Sequence, residues 1–175
     1  MIVYFVRHAS AGSHKADPKK DEKRALDENG IQQCGLMGRT LAALDVHVDA
    51  TITSPLKRAA QTAALVANEI GYEGKLSLDS SLRPESSFEE FRKLLDRFRE
   101  RDAVMVVGHN PNLSEFLAKL LGARSGGSVE LKKGAVAKIE FDQKRAALEW
   151  CISPRLVRSI YDNAASSSRP KSSRK

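Results

Sequence analysis

Two histidines and two arginines carry the chemical interest of this 175-residue chain, because each stands just after a short apolar run. Ile2 to Val6 ends in Arg7-His8, Ala50 to Thr53 leads through Ser54-Pro55 to Lys57-Arg58, and Ala103 to Val107 runs into Gly108-His109. Guanidinium forks match the oxygens of a phosphate, and helix N-termini add oriented N–H groups. Two arginines and two histidines at one place suit a tetrahedral dianion, whereas a carboxylate ligand needs fewer cations. One Arg-His pair alone is more often a plain polar strand end. Three such junctions delivered to one edge are the signal.

The elements that must position them follow from periodicity and punctuation. Ile2 to Val6 and Ala103 to Val107 are too short for helices and do not alternate with polar residues, so they read as strands covered on both faces. If these strands run parallel, their carboxyl ends share the edge at which open α/β sheets hold ligands. Ala9 to Lys23 reads as an exposed loop above that edge. Asp27 is placed as the N-cap of a helix reaching Leu44. Ser54 and Pro55 are placed as N-cap and N1 of a helix to Ile70, stopped by Gly71, and Asn110 and Pro111 take the same roles for a helix ending at Gly122. Leu76 to Leu78 is a short strand, Asp79 to Ser87 is irregular, and Phe88 to Arg101 is an amphipathic helix with Phe88, Phe91, Leu94, Leu95 and Phe98 on one face. After a Gly/Ser loop at Arg124 to Ser128, Ala135 to Phe141 and Ala147 to Ile152 alternate in polarity around the turn Asp142 to Ala146, the pattern of an antiparallel edge pair. The fold expected is α/β in three layers, with a mainly parallel central sheet flanked by helices and that antiparallel pair at its C-terminal edge.

A length of 175 residues fits one ordinary domain, placed at 1–158, with a basic Ser/Arg/Lys-rich tail at 159–175 that is expected to be disordered. No apolar stretch approaches the ~20 residues needed to span a bilayer, and the N-terminus has no basic segment followed by a signal-like apolar run, so a cytoplasmic protein is expected. Cys34 and Cys151 lie at no metal-ligand or CxxC spacing and read as packing thiols. Neither a metal nor a cofactor is expected. The formal charge of +7 suits an anionic substrate; on charge alone nucleic acid is also a conceivable partner, although nothing else favours it.

Four stretches in order, Val-Arg-His-Ala at the N-terminus, Arg-Ala-Leu-Asp-Glu-Asn-Gly at 24–30, Thr-Ser-Pro-Leu-Lys-Arg-Ala-Ala-Gln-Thr at 53–62 and Gly-His-Asn-Pro at 108–111, resemble the histidine phosphatase superfamily of phosphoglycerate-mutase-like fold. The similarity spans roughly 1–158 and is nearest to the small phosphohistidine phosphatases of the SixA type. It implies that His8 is the nucleophile of a transient phosphohistidine, with Arg7, Arg58 and His109 binding the transferred phosphoryl group. That chemistry is sound in itself: a neutral imidazole nitrogen attacks phosphorus, and cationic groups neutralise equatorial charge during in-line transfer.

The chain departs from the wider pattern at three places. Ala9 follows the first histidine where glycine is usual, Asn110 stands where acid-phosphatase relatives carry a proton-donating Asp, and Glu85 is the nearest candidate for the glutamate of the mutase-like relatives. A leaving imidazole, with a reference pKa near ~6.5, needs less protonation than an alkoxide, which resembles water at ~15.7. The chain also lacks a long insertion able to close over a small metabolite. Both points favour phosphohistidine on a protein as the substrate, with a small phosphate ester as the alternative and a non-catalytic phosphate or nucleic-acid binding module as the alternative of another class. No membrane partner is expected. His14 and His47 are assigned no role. Asp21 and Arg24 either brace the loop over the site or belong to a solvated charge run from Lys15 to Arg24.

Overall fold

The structure is a computed structural model and describes residues 1–123, 129–142 and 145–167. Among these residues six strands, β1 (Ile2–Arg7), β2 (Ala50–Thr53), β3 (Ser77–Leu78), β4 (Ala103–Gly108), β5 (Val136–Phe141) and β6 (Ala146–Ile152), form one sheet in the order β3-β2-β4-β1-β5-β6. β1, β2, β3 and β4 are mutually parallel, whereas β5 runs antiparallel to β1 and β6 antiparallel to β5. Among the described residues, six α-helices accompany them: α1 (Pro18–Glu22), α2 (Glu28–Ala43), α3 (Lys57–Glu69), α4 (Phe88–Arg97), α5 (Asn112–Leu120) and α6 (Pro154–Ser167).

Alternation along the central strands builds the three layers. In β1, Tyr4 and Val6 pack with Met37 and Leu41 of α2, Ala63 and Val66 of α3 and Val157 of α6. Val3 and Phe5 point the other way, into Phe91, Leu94 and Leu95 of α4 and Leu113, Phe116 and Leu117 of α5. Residues two apart on a strand share a face, so one five-residue apolar run serves two cores. This is why neither β1 nor β4 shows alternating polarity, and all six residues of β4 are buried.

Several local expectations need correction. The stretch 9–23 is not simply an exposed loop: Asp17 caps the short helix α1, and Ala9, Ser10, Ala11 and Asp21 are buried. Helix α3 starts at Lys57 with Leu56 as its N-cap, and α5 starts at Asn112 with Pro111 as its N-cap, so Ser54 and Asn110 cap neither helix. Their side chains are engaged elsewhere. Helix α4 has a full capping box between Ser87 and Glu90 but ends at Arg97, a turn earlier than its apolar face suggests, because Phe98 closes it. Cys34 is buried as expected for a packing thiol, while Cys151 is exposed on β6. The tail expected to be disordered from 159 is helical as far as Ser167, since α6 crosses the 158/159 boundary. The Gly/Ser loop at 124–128 and residues 168–175 lie outside the described residues. No helix among the described residues is long and apolar enough to cross a membrane.

Candidate active site

Register decides which side chains meet. β1 pairs in parallel with β4 so that Arg7 lies opposite Gly108, and β2 pairs with β4 so that Thr53 lies opposite Val107. The next residue of each strand is therefore delivered to the same place on the carboxyl edge: His8, His109 and Ser54. Backbone bonds continue the ladder past the strand ends, from His8 N–H to the Gly108 carbonyl at 3.0 Å and from Ser54 N–H to the Val107 carbonyl at 2.9 Å. The two imidazoles lie with ring centroids 4.9 Å apart.

Each ring is oriented by one hydrogen bond. His8 Nδ1 lies 2.8 Å from the carbonyl of Ala9, which can only accept, so Nδ1 carries the proton and Nε2 keeps its lone pair. His109 Nε2 lies 2.8 Å from Ser54 Oγ, a hydroxyl that also accepts from the Leu56 N–H at 3.3 Å. Ser54, expected as a helix cap, is thus recruited by a histidine from a different strand. Burial disfavours the charged form of both rings. Desolvation lowers the His8 pKa to about 4, with Arg58, Arg7 and Arg24 adding to it against the opposing Ala9 hydrogen bond. Desolvation, then the charges of His8, Arg58 and Arg24, lower that of His109 to about 2. Both imidazoles are neutral at neutral pH.

The arginines are held from outside the parallel sheet. Arg58, from the first turn of α3, is buried, and its Nη1 donates to the backbone carbonyl of Asp21 at 2.9 Å while lying 3.2 Å from that residue's carboxylate. The same carboxylate accepts from Arg24 Nε at 2.8 Å and from the Lys15 N–H at 3.0 Å. Asp21 is 7% exposed, so of the two readings open for it the structure supports bracing over a solvated charge run. Arg7 Nη1 donates to the Leu131 carbonyl at 2.8 Å, which also accepts from Asn110 Nδ2 at 2.9 Å. Asn110, the other expected cap, takes the Ser114 hydroxyl proton on its Oδ1 at 2.9 Å, and Ser114 in turn receives the Leu131 N–H at 3.0 Å. After these bonds, Arg7 Nε, Arg58 Nε and His109 Nδ1 remain buried without a protein hydrogen-bond partner. Buried polar atoms of that kind are costly unless they serve a ligand, and N–H donors are what the oxygens of a tetrahedral dianion accept from.

The loop that carries Ala9 and Ser10 is fixed by close packing. Ser10 Oγ and the Gly12 N–H both donate to Asp27 Oδ2, at 2.8 and 2.7 Å, while Asp27 Oδ1 caps α2 through the Gly30 N–H at 2.7 Å. A Cβ on Gly30 would lie 2.0 Å from the Ser10 carbonyl oxygen, so only glycine allows α2 to approach. Thr62 of α3 accepts the Ala9 N–H at 3.1 Å and gives its own proton to the Arg58 carbonyl at 2.8 Å.

Of the five residues singled out in the sequence, Arg7, His8, Arg58 and His109 come together on the carboxyl edge. Glu85 does not join them. It is exposed after the 3₁₀ helix Ser80–Leu82, lies 3.5 Å from Arg83 Nη1, and makes no hydrogen bond to either histidine; Arg83 itself reaches Glu22 of α1 at 2.7 Å. Thr62, the Leu131 carbonyl and Ser54 as a partner of His109 were not identified from sequence, and Asp21 was left between two readings. A backbone carbonyl carries no signal in sequence. Beside Arg7 a cleft of about 440 Å³ opens between Asn110, Pro111, Ser114, Glu115, Val129 and Glu130.

Residues 3–95 match the model of the histidine phosphatase superfamily, branch 1. An uncharacterized protein of Picosynechococcus sp. is 34% identical over 139 residues, covering 78% of this chain and 82% of that protein. Among solved structures, the protein histidine phosphatase SixA complexed with tungstate superposes with a TM-score of 0.81 at 23% identity, over 90% of this chain and 99% of that one. The alpha-ribazole phosphatase from Shigella flexneri does so with a TM-score of 0.70 at 20% identity, over 88% and 97%.

Proposed function

Because the chain belongs to the histidine phosphatase superfamily, and is in that sense a phosphatase, we propose that its substrate is phosphohistidine on a protein and that His8 is the nucleophile. The single observation carrying this reading is the state of His8: a neutral ring whose Nδ1–H is committed to the Ala9 carbonyl, leaving the Nε2 lone pair free, with the charges of Arg58 and Arg7 acting on the ring and a second neutral histidine 4.9 Å away. Nε2 attacks phosphorus, the bond from phosphorus to the substrate imidazole breaks, and that imidazole takes its proton from water. Arg7, Arg58 and His109 stabilise the charge on the transferring oxygens. Water then attacks phospho-His8, releasing inorganic phosphate and restoring the lone pair. The protein supplies this charge through its own side chains, without a metal.

Leaving-group basicity supports the choice of substrate. The reaction as written needs no carboxylic acid at the site, and the exposed Glu85 carboxylate lies 3.5 Å from Arg83, which counts against its delivering a proton to a departing oxygen. An alkoxide depends on such a proton, and general acid catalysis is worth about 10²–10⁴-fold in rate. A small phosphate ester is the second reading, favoured by the cleft of about 440 Å³ beside Arg7, which has room for a metabolite-sized group. The neighbour of the same fold from Shigella flexneri is named for a small-molecule phosphatase activity, whereas the SixA neighbour was solved with tungstate, a tetrahedral oxyanion.

The test is phosphate release from a phosphohistidine protein and from an alkyl phosphate, both with EDTA, by the wild type, His8→Ala and Glu85→Gln. The expected result is turnover of the phosphoprotein, an acid-labile phosphoryl adduct trapped by quenching, loss of both in His8→Ala, and little change in Glu85→Gln. Efficient alkyl-phosphate hydrolysis that disappears in Glu85→Gln, with no turnover of phosphohistidine, makes the second reading the better one.

A further inference from the structure

The rim of the site is charged asymmetrically. Helix α1 and the loop before it lie across the carboxyl edge, tied to α3 by Asp21 and to the segment after β3 by the pair Glu22–Arg83. The acids in this stretch all have partners: Asp17 caps α1 and lies 4.0 Å from Lys20, Asp21 holds Arg24 and Arg58, and Glu22 holds Arg83. Apart from Lys20, the lysines interleaved with them do not. Lys15, Lys19 and Lys23 are exposed and, among the described residues, make no ion pair; the same is true of Lys57, the residue before Arg58. Across the site, exposed Lys133 precedes Gly134, whose N–H reaches the Arg7 and His8 carbonyls at 3.2 and 3.3 Å.

We propose that this lysine rim is a docking surface for an acidic protein, so that the enzyme selects phosphohistidine carried on a negatively charged face. The inference rests on the phosphohistidine reading and adds the chemistry of the carrier. Free cations around an anion site raise the local concentration of a negatively charged partner and orient it, with rate effects of about 10–10³-fold that salt removes. A small phosphoramidate already engages Arg7 and Arg58 and is too small to span the rim. The rim therefore acts on protein substrates alone.

The experiment compares kcat/KM on a phosphohistidine carrier protein of acidic surface, on one of basic surface, and on N-phosphoimidazole. Lys19→Glu/Lys23→Glu reverses the rim; Lys75→Glu/Arg101→Glu makes the same change in net charge at the opposite edge, where these residues precede β3 and β4. The rim variant is expected to lose about 10-fold or more on the acidic carrier. Its activity on N-phosphoimidazole should stay within a factor of about two, and the opposite-edge variant should match the wild type on all three. Lys19→Gln/Lys23→Gln should fall between, and raising salt from about 50 to about 500 mM should erase the differences. Equal losses in both reversed variants, a loss on N-phosphoimidazole as large as on the carrier, or equal use of the two carriers by the wild type overturns the rim while leaving the phosphohistidine reading intact. Tight binding of a DNA or RNA oligonucleotide that the rim variant loses, with carrier turnover unchanged, assigns the surface to nucleic acid instead. If the wild type turns over neither carrier yet hydrolyses alkyl phosphates, the phosphohistidine reading itself is wrong and the rim proposal falls with it.

Discussion

Replacing Asp21 by Asn separates a brace from a solvated acid. The wild-type carboxylate takes two hydrogen bonds on Oδ1, from Arg24 and the Lys15 N–H, and pairs with Arg58 through Oδ2. An amide keeps one acceptor oxygen and must turn N–H donors toward one of the two guanidinium groups. Arg58 and Arg24 have side chains only 6% and 12% exposed, so water compensates neither of them well. Removing one partner of a buried charge pair costs about 3–5 kcal/mol. At about 2–4 °C per kcal/mol for a chain of this size, the midpoint of thermal unfolding should fall by about 6–20 °C. Below the new midpoint kcat/KM should fall about 10- to 100-fold, because Arg58 loses the group that aims it, and inhibition by inorganic phosphate should weaken in parallel. The pH dependence has a definite sign. Burial pushes the Asp21 carboxyl up, but the hydrogen bonds from Arg24 and the Lys15 N–H and the charge of Arg58 outweigh it, holding the group well below the usual carboxylate range. Its stabilisation is complete above the unfolded pKa near ~3.9 and disappears as pH falls through the folded value, so wild type and variant should converge only in strong acid. A midpoint within about 2 °C of wild type and kcat/KM within a factor of about two would refute the brace and return Asp21 to a solvated charge run.

Four further outcomes follow from the same geometry. With the His8 pKa lowered to about 4, kcat/KM should stay level from neutrality to about pH 5 and decline only as the nucleophile protonates below that; a limb near ~6.5 in rapid-mixing assays shows an exposed imidazole instead. The two histidines also bind fewer protons folded than unfolded as pH drops below ~6.5, so they should lower stability progressively in acid, read from denaturant midpoints across that range. Gly30→Ala places a methyl 2.0 Å from the Ser10 carbonyl oxygen and should cost at least about 1–3 kcal/mol while lowering kcat, whereas unchanged melting contradicts the close approach. Ser54→Ala leaves a buried ring nitrogen of His109 unpaired, for about 1–3 kcal/mol of stability and a fall in kcat/KM; Ser54→Thr, which keeps the hydroxyl, should recover much of both if the hydrogen bond rather than the packing is responsible.

The strands and long helices were legible in the sequence because their signals are local. A continuous apolar run bounded by polar residues gave β1 and β4, and spacing of three and four gave α4. The parallel carboxyl edge then followed from three strand-to-helix junctions, and with it the meeting of Arg7, His8, Arg58 and His109. What the sequence concealed depends on partners distant in the chain. Ser54 and Asn110 stand where caps belong, and by local rules they should cap; a histidine 55 residues away and a carbonyl 21 residues away claim them instead. Helix α1 was hidden for the same reason, because a run of lysines and acids looks identical whether its aspartate faces water or a buried arginine. Glu85 shows the limit of choosing an acid by its nearness in sequence, since its exposed carboxylate lies 3.5 Å from Arg83.

The hydroxyl of Thr62 has one more consequence. It joins the Ala9 amide, one residue beyond His8, to the Arg58 carbonyl, inside the second turn of a helix packed on the main core. The Ala9 amide can exchange its hydrogen with solvent only when that hydroxyl lets go, and the hydroxyl is itself held by the helix. Protection at Ala9 should therefore equal that of the most slowly exchanging amides of α3, far above ordinary loop values. On that expectation the nucleophile's loop shares its opening with the helix that carries Arg58, and the two sides of the site open together.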